Sequence, residues 1–323
     1  MINKTIAICL GAMIASTSAF AQSPTFFRIG TGGAGGTYFP IGGTIANAIS
    51  APPGSRPCDE GGQCGVPGLI AIAQSTTASV FNAAAVQNGQ LEAGLSAADV
   101  VHDTYFGVRK FEGKPHPKLR IVANLYPEDL HLVLPKGQKI ESLADLKGER
   151  VGIAQAGSGT HVNRDNIDAA ELGNSQSAER LADGQLDAYF YAAGWPVAAM
   201  VQLASTKGME LHSFSDADLK KINDLVPAYI PSHIPAGVYD GIDYEVKTPA
   251  VSALFIVSSD LDEELVYGLT KALWNSNTRK LLDNGHAKGK QITVESALDG
   301  VAALEVPLHP GAARFYKEMG MIK

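Results

Sequence analysis

Short apolar runs alternate along the chain with segments in which apolar residues recur every three or four positions. Residues 26–29 form the first apolar run, and Ile41, Ile45 and Ile49 then lie on one face of a predicted helix over 38–50. Strands alternating with helices predict α/β layers with mainly parallel sheets. The later strand-like runs occupy 68–74, 91–95, 118–124, 131–134, 148–153, 185–191 and 250–257, and the last helical patterns occupy 263–274, 276 to about 284, and 312–319.

A glycine-rich loop joins the first predicted strand to the first predicted helix. Five of the seven residues from 30 to 36 are Gly, and Thr37 and Tyr38 follow at the start of the helix. A helix N-terminus has unpaired backbone N–H groups and carries the positive end of the dipole. Glycine lets a ligand approach the backbone closely. The pattern therefore predicts a binding site for an anion.

Three later strand ends repeat this arrangement with small or polar residues. They are S-T-T-A-S at 75–79, S-A-A-D at 96–99 and A-G-S-G-T at 156–160. Each hydroxyl there could face a ligand or simply cap its helix, and Asp99 could be a cap or helix-dipole residue. Ligands of open α/β sheets bind outside the carboxyl ends of the strands, so we expect these loops to share one cleft. Tyr38 and Trp195 could form its walls or pack between lobes.

The first 21 residues are predicted to be a secretory signal peptide, cleaved after Ala21. Lys4 precedes an apolar centre at 6–14, and A-F-A at 19–21 forms a small-residue cleavage site. The remaining length of about 300 residues predicts two lobes. The formal charge of −7, or −8 without Lys4, and the lack of a basic cluster argue against a nucleic-acid partner.

Two cysteines remain beyond the predicted signal peptide. Cys58 and Cys64 lie six positions apart, which suggests one disulfide closing a small loop in an exported protein. A metal site at this position would lack a second pair of ligands.

Enzymatic interpretations of the loops are weaker. Gly30, Gly32 and Gly35 match a dinucleotide-binding pattern, but such a match arises easily in a glycine-rich stretch. Ser158 lies in A-G-S-G-T rather than G-x-S-x-G, so it is not a nucleophile elbow. The sequence has no G-K-[ST] phosphate loop and no metal-spaced histidine or carboxylate set. We therefore expect no catalytic residues, cofactor or metal.

Several segments in order resemble the TAXI-type solute receptors of TRAP transporters. The resemblance is carried by F-F-R-I-G-T-G-G-A-G-G-T-Y-F-P-I-G-G, C-G-V-P-G-L, S-V-F-N, L-A-D-L-K-G-E-R-V, A-G-S-G-T, D-G-Q-L-D-A-Y-F and P-L-H-P-G-A-A-R-F-Y-K-E. It implies a class II periplasmic binding protein (Venus flytrap), with two α/β lobes, two crossing strands and a ligand cleft. The expected divisions are 22–125 for lobe I, 126–249 for lobe II and 250–323 for the return to lobe I. The strands at 118–124 and 131–134, separated by L-Y-P-E-D, are of the kind that crosses between lobes.

The same resemblance implies a function and a set of contacts. The ligand would be a small carboxylate such as glutamate, 2-oxoglutarate or a related dicarboxylate, delivered by a monomeric periplasmic receptor to a permease driven by an ion gradient. An exported enzyme or a sensor using the same cleft are the alternatives. The predicted ligand-binding residues are Gly33, Gly35, Gly36, Thr37, Tyr38, Thr76, Ser79, Ser96, Asp99, Ser158, Gly159, Thr160 and Trp195.

Two departures from the family pattern affect these expectations. Ala97 stands where relatives usually have Gln, so the usual amino-dicarboxylate specificity is in doubt and the pocket could be larger. The segment from Thr160 to Asp187 is about ten residues shorter than the pattern. A less regular second lobe is expected as a result.

Overall fold

The computed structural model describes residues 24–159 and 166–323. The predicted signal peptide and Thr160 lie outside the described residues. The strands are β1 Thr25–Gly30, β2 Ser50–Ala51, β3 Val66–Pro67, β4 Leu69–Gln74, β5 Ala93–Ala97, β6 Leu119–Pro135, β7 Arg150–Gly152, β8 Asp168–Ala170, β9 Ala188–Ala193, β10 Met209–Leu211, β11 Ile230–Ile234 and β12 Val246–Ser258. The α-helices are α1 Tyr38–Ile49, α2 Ser79–Gln87, α3 Ala98–Phe106, α4 Asn174–Ala182, α5 Ala198–Thr206, α6 Asp216–Leu225, α7 Glu263–Leu273, α8 Ser276–Gly285 and α9 Pro310–Glu318.

One curved sheet runs through both halves of the molecule in the order β4-β1-β5-β12-β6-β9-β7-β8. Strands β4, β1 and β5 are parallel to one another, as are β9, β7 and β8. The two long central strands, β6 and β12, pair antiparallel from Ala250 opposite Asp129 to Ser258 opposite Leu119. These two strands cross between the halves and therefore form the connection that positions any site between them.

The prediction of two short strands at 118–124 and 131–134 is wrong, because β6 is one continuous strand of 17 residues. The intervening L-Y-P-E-D has the composition of a turn, but β12 pairs with residues 126–129 of this segment. Pro127 is tolerated because pairing with β9 begins only at Asp129, so no ladder bond on that side is lost. Tertiary pairing thus overrides the local turn signal.

Each half buries its own apolar core. The half containing α1–α3 and α7–α9, here called lobe I, packs Phe27 and Ile45 against Leu269 and Phe315. The half containing α4–α6, here called lobe II, packs Tyr189 and Met200 with other residues of its helices and strands. Two α/β lobes with two crossing strands match the predicted fold class. The predicted lobe boundaries fall inside β6 and β12 and remain a prediction.

Cys58 and Cys64 form a disulfide, with Cα atoms 4.6 Å apart. It closes the small loop between the adjoining strands of the β2–β3 pair in lobe I. No helix in the described part of the chain combines the length and apolar character needed to cross a membrane.

Candidate functional site: the cleft between the lobes

A cleft of about 440 Å³, measured to its solvent-open mouth, lies between the two lobes. Lobe I contributes the glycine loop, Thr37 and Tyr38 at the start of α1, and Ser79 at the start of α2. Lobe II contributes Ser158, Gly159 and Tyr191. An adjoining compartment of about 700 Å³ shares Gly33, Gly36 and Ser158 with the cleft and extends to Gly35 and the start of α4.

The glycine loop packs directly against lobe II. The Gly35 carbonyl accepts a hydrogen bond from Asn174 Nδ2 at 3.1 Å, and the Thr37 hydroxyl donates to the Gly194 carbonyl. A Cβ atom on Gly36 would lie 2.5 Å from the Tyr191 hydroxyl, whereas one on Gly33 would have nothing within 4 Å. Glycine at position 36 is therefore required by the close approach of the opposite lobe.

The N-terminus of α1 has no side-chain cap, because the Thr37 hydroxyl is bonded to lobe II. Its first turn also has no acidic residue. The first backbone N–H groups of a helix have no acceptor within the helix. At this end of α1 they can serve an external acceptor.

The N-terminus of α2 differs, although its sequence context looks equivalent. The Gly157 carbonyl of lobe II accepts hydrogen bonds from the N–H groups of Val80, at 3.0 Å, and Phe81, at 3.3 Å. These two helix donors are used by the protein itself. This helix therefore reaches the cleft mainly through the Ser79 side chain and not through these backbone N–H groups.

A directed chain of hydrogen bonds crosses the base of the cleft. The Ala97 N–H donates to Ser79 Oγ at 3.1 Å, and the Tyr38 hydroxyl donates to Glu128 Oε2 at 2.6 Å. Ser79 Oγ and the Tyr38 hydroxyl lie 3.2 Å apart. Tyr38 has one hydroxyl proton and donates it to Glu128. Ser79 is therefore the donor in the hydrogen bond between the two hydroxyls. Every proton in the chain therefore points towards Glu128.

Glu128 is a buried carboxyl of β6 in the lining of the cleft, with 4% of its surface exposed. Burial raises the pKa of Glu128 to about 8. The Tyr38 hydrogen bond and Lys288 act in the opposite direction, while the negative charges of Asp99 and Asp129 raise this pKa further. The pKa of Tyr38 is also raised well above its usual range, by burial and by the neighbouring Glu128.

Sequence reasoning missed Glu128 because it lies in L-Y-P-E-D, the segment predicted to separate two strands. The continuous apolar runs on both sides of L-Y-P-E-D are the signal that could have found it. An acidic residue within one long buried strand requires a partner or a function, whereas an acidic residue in a turn requires neither.

Asp129, the next residue, makes a structural ion pair on the other side of the strand. Lys288 Nζ lies 2.8 Å from Asp129 Oδ2, and the Ser232 hydroxyl donates to Asp129 Oδ1 at 2.6 Å. Both members of the pair are almost completely buried. Burial lowers the pKa of Lys288, and Asp129 opposes that shift. The Lys288 ammonium also lies 4.4 Å from the centre of the Trp195 ring.

The structure brings together most, but not all, of the predicted ligand residues. Trp195 packs on Lys288 outside the lining of the cleft, and the Thr76 hydroxyl contacts Thr31 O and Asn82 Oδ1. The Ser96 hydroxyl donates to Ser79 O. Asp99 accepts from its neighbour Val100 N and lies at a separate groove, where burial raises its pKa to about 6. The predicted residues found in the lining of the cleft or its adjoining compartment are Gly33, Gly35, Gly36, Thr37, Tyr38, Ser79, Ser158 and Gly159.

Among the described residues that line the cleft and the adjoining compartment, none is Lys, Arg or His. The part of the chain at 24–159 and 166–323 also contains no group of three or more His, Cys, Asp or Glu residues that could hold a metal ion. The described lining can donate hydrogen bonds through hydroxyls and backbone amides, and can accept them through Glu128.

Two α/β lobes, two crossing strands and a cleft between the lobes form a Venus-flytrap arrangement. The chain belongs to the NMT1-like family, whose sequence profile matches residues 29–320.

Solved structures of similar shape include three binding proteins of low sequence identity. The alkanesulfonate-binding protein SsuA from Xanthomonas axonopodis pv. citri, bound to MOPS, is 14% identical with a TM-score of 0.46, over 91% of this chain and 84% of that one. The periplasmic aliphatic sulphonate binding protein SsuA from Escherichia coli is 15% identical with a TM-score of 0.42, over 93% and 95%. An ancestral arginine-binding protein bound to arginine is 15% identical with a TM-score of 0.45, over 91% and 97%.

Proposed function

We propose that this chain is an exported solute receptor of the TAXI type. It captures a small carboxylate in the interlobe cleft and delivers it to a TRAP permease driven by an ion gradient. The observation that carries the proposal is the meeting of Thr37, Tyr38 and the glycine loop of lobe I with Ser158 and Gly159 of lobe II around one cavity.

The chemistry of the α1 end favours a carboxylate. The helix start carries no side-chain cap and no acid, and it opens onto the same cavity as Ser158 of lobe II. A carboxylate can accept hydrogen bonds from the unpaired backbone amides of such a helix start. The ligand would then act as the missing cap of α1.

Capture in this proposal is a closure of the two lobes. The chain crosses between the lobes through β6 and β12, and we place the hinge where the predicted boundaries near residues 125 and 250 fall within these strands. A ligand that contacts both lobes binds the closed form better than the open form and so shifts the population towards it. The permease would recognise the closed receptor at the outer face of the membrane.

Thermal unfolding with a panel of carboxylates tests the proposed ligand class. A ligand at 100 times its Kd stabilises the native state by about 2.7 kcal/mol, which corresponds to a Tm increase of roughly 5 °C for a chain of this size. Ser158→Trp fills the cleft and should abolish the shift. Ser205→Trp, at an exposed position of α5, is the matched control and should retain it.

The absence of any shift across a broad carboxylate panel would contradict the ligand class. Recovery of a chemically changed ligand after incubation would instead favour an enzyme. Uptake into proteoliposomes containing the cognate permease tests the transport partner: we expect uptake to follow an imposed ion gradient without ATP. Uptake that requires ATP would contradict the TRAP assignment.

A further inference from the structure

We propose that Glu128 is the specificity-determining residue of the cleft, where its carboxylate binds an ammonium group carried by the carboxylate ligand. The receptor would therefore prefer 2-amino acids over the 2-oxo acids with the same carbon skeleton. This inference rests on the proposed function. It adds that the ligand carries an ammonium group as well as the carboxylate bound at the start of α1.

The first support is the position of the two carboxyl oxygens. Oε2 of Glu128 accepts the hydrogen bond from Tyr38, and no described residue donates a hydrogen bond to Oε1. The Glu128 side chain lines the cleft. Glu128 therefore has one oxygen held in place and one available to a ligand.

The second support is the direction of the hydrogen-bond chain. Protons from Ala97, Ser79 and Tyr38 all point towards Glu128. The final O–H···O distance of 2.6 Å is that of a short hydrogen bond. The chain thus orients Glu128 as an acceptor, which is the role that an ammonium ligand needs.

The third support is the set of groups around Glu128. The neutral groups that face Glu128 are the phenols of Tyr38 in α1, Tyr126 in β6, Tyr191 in β9 and Tyr229.

The charged groups near Glu128 leave it without a cation of its own. Asp99 of α3 and Asp129 of β6 add negative charge, and Lys288 is the one described cation that acts on Glu128. Lys288 is itself bonded to Asp129 at 2.8 Å. A cationic group on the ligand would supply the partner that Glu128 lacks.

The inference predicts that binding of an amino acid releases a proton from Glu128. Burial raises the pKa of Glu128 to about 8, so the empty receptor holds a proton there at neutral pH. A ligand ammonium favours the ionised form and lowers this pKa on binding, so the proton is released. Affinity for an amino acid should therefore rise with pH, by at most tenfold per unit, and level off above about pH 8. A 2-oxo acid has no ammonium and should cause no release.

Matched pairs of acids provide the test, with titration calorimetry in buffers of different ionisation enthalpy. The probes are L-glutamate with 2-oxoglutarate, and L-leucine with 4-methyl-2-oxopentanoate. We expect the amino acid of at least one pair to bind roughly 10- to 100-fold more tightly than its oxo partner, with proton release at pH 7.

The informative variant is Glu128→Gln, which keeps an acceptor for Tyr38 but replaces the free oxygen's charge with a neutral amide. We expect it to lose the preference for the amino acid and the proton release, because the amide can donate to an oxo group instead. Glu141→Gln, at an exposed position outside the cleft, is the control and should behave like the wild type. Circular dichroism and thermal unfolding check that the variant is folded.

Three outcomes would overturn the inference. Equal affinity for both members of every binding pair, or tighter binding of the oxo acids, contradicts it while leaving the proposed function intact. An unchanged preference in folded Glu128→Gln also contradicts it. If no acid of either series binds, the proposed ligand class fails and the inference fails with it.

Discussion

Two adjacent carboxyls on β6, Glu128 and Asp129, are both buried and yet have different surroundings. Asp129 faces away from the cleft lining and has Lys288 and the Ser232 hydroxyl as partners. Glu128 lines the cleft and has only the Tyr38 hydroxyl as a hydrogen-bond partner among the described residues. The alternation of side chains along a strand places these neighbours on opposite faces.

The difference separates a structural charge from one available for recognition. Burying a charge is costly unless it is paired and hydrogen-bonded. Asp129 meets this condition within the protein, through a lysine 159 positions later in the chain. Glu128 does not, and its raised pKa reflects that deficit. A buried acid whose second oxygen opens to a cavity is therefore the better candidate for ligand contact.

The largest expected effect comes from breaking the Asp129 pair. Lys288→Met leaves Asp129 buried without its cation and should lower the free energy of unfolding by about 3–5 kcal/mol. Urea denaturation measures the change. The double variant Lys288→Met/Asp129→Asn removes both charges and should recover most of the loss. A single variant as stable as the wild type would show that Asp129 does not depend on this pair.

A smaller effect is expected from the cleft side of the strand. Tyr38→Phe removes the hydrogen bond to Glu128 but leaves the carboxyl buried, which should cost about 1–3 kcal/mol of stability. Tyr267→Phe is the matched control, since it removes a hydroxyl that donates to Glu318 at 2.7 Å on the surface. Its effect on urea denaturation should be distinctly smaller. Equal effects of the two substitutions would remove the distinction between the buried and the exposed bond.

The dependence of the unfolding free energy on pH tests the raised pKa of Glu128. The pKa of Glu128 is raised in the folded state from its ordinary value of 4.5 to about 8, so folding favours the protonated form. Its stabilising contribution is full below about pH 4.5 and is lost as the pH rises through 8. Relative to Glu128→Gln, the ligand-free wild type should lose at most about 1.4 kcal/mol per pH unit in this window. If the stability of the wild type relative to Glu128→Gln is constant or rises with pH in this window, the raised pKa of Glu128 is contradicted.

The local patterns predicted most of the strands and helices that border the cleft and the glycine-rich start of α1, but not the continuity of β6 or helix α6. Glycine followed by Thr37 and Tyr38 indicated an open helix start, and the structure places that start in the cleft lining. These features depend on residues close together in the chain, where periodicity and glycine chemistry are informative.

The remaining features depend on pairings between distant segments. The Gly157 carbonyl reaches the start of α2, and Lys288 reaches both Asp129 and Trp195. No spacing rule connects these positions. The same limit applies to L-Y-P-E-D, since its strand conformation comes from pairing with β12, more than a hundred residues later. Trp195 was accordingly predicted as a ligand contact when its ring packs over a buried ammonium.

The most direct test of the proposed receptor is native mass spectrometry of protein purified from its exporting host without refolding. We expect a fraction of the molecules to carry one small acid, which is released unchanged on denaturation and rebinds the refolded protein with a stoichiometry of one. Ser158→Trp prepared in the same way should carry none. Wild-type protein that is empty after purification and takes up no acid from the carboxylate panel would contradict the account.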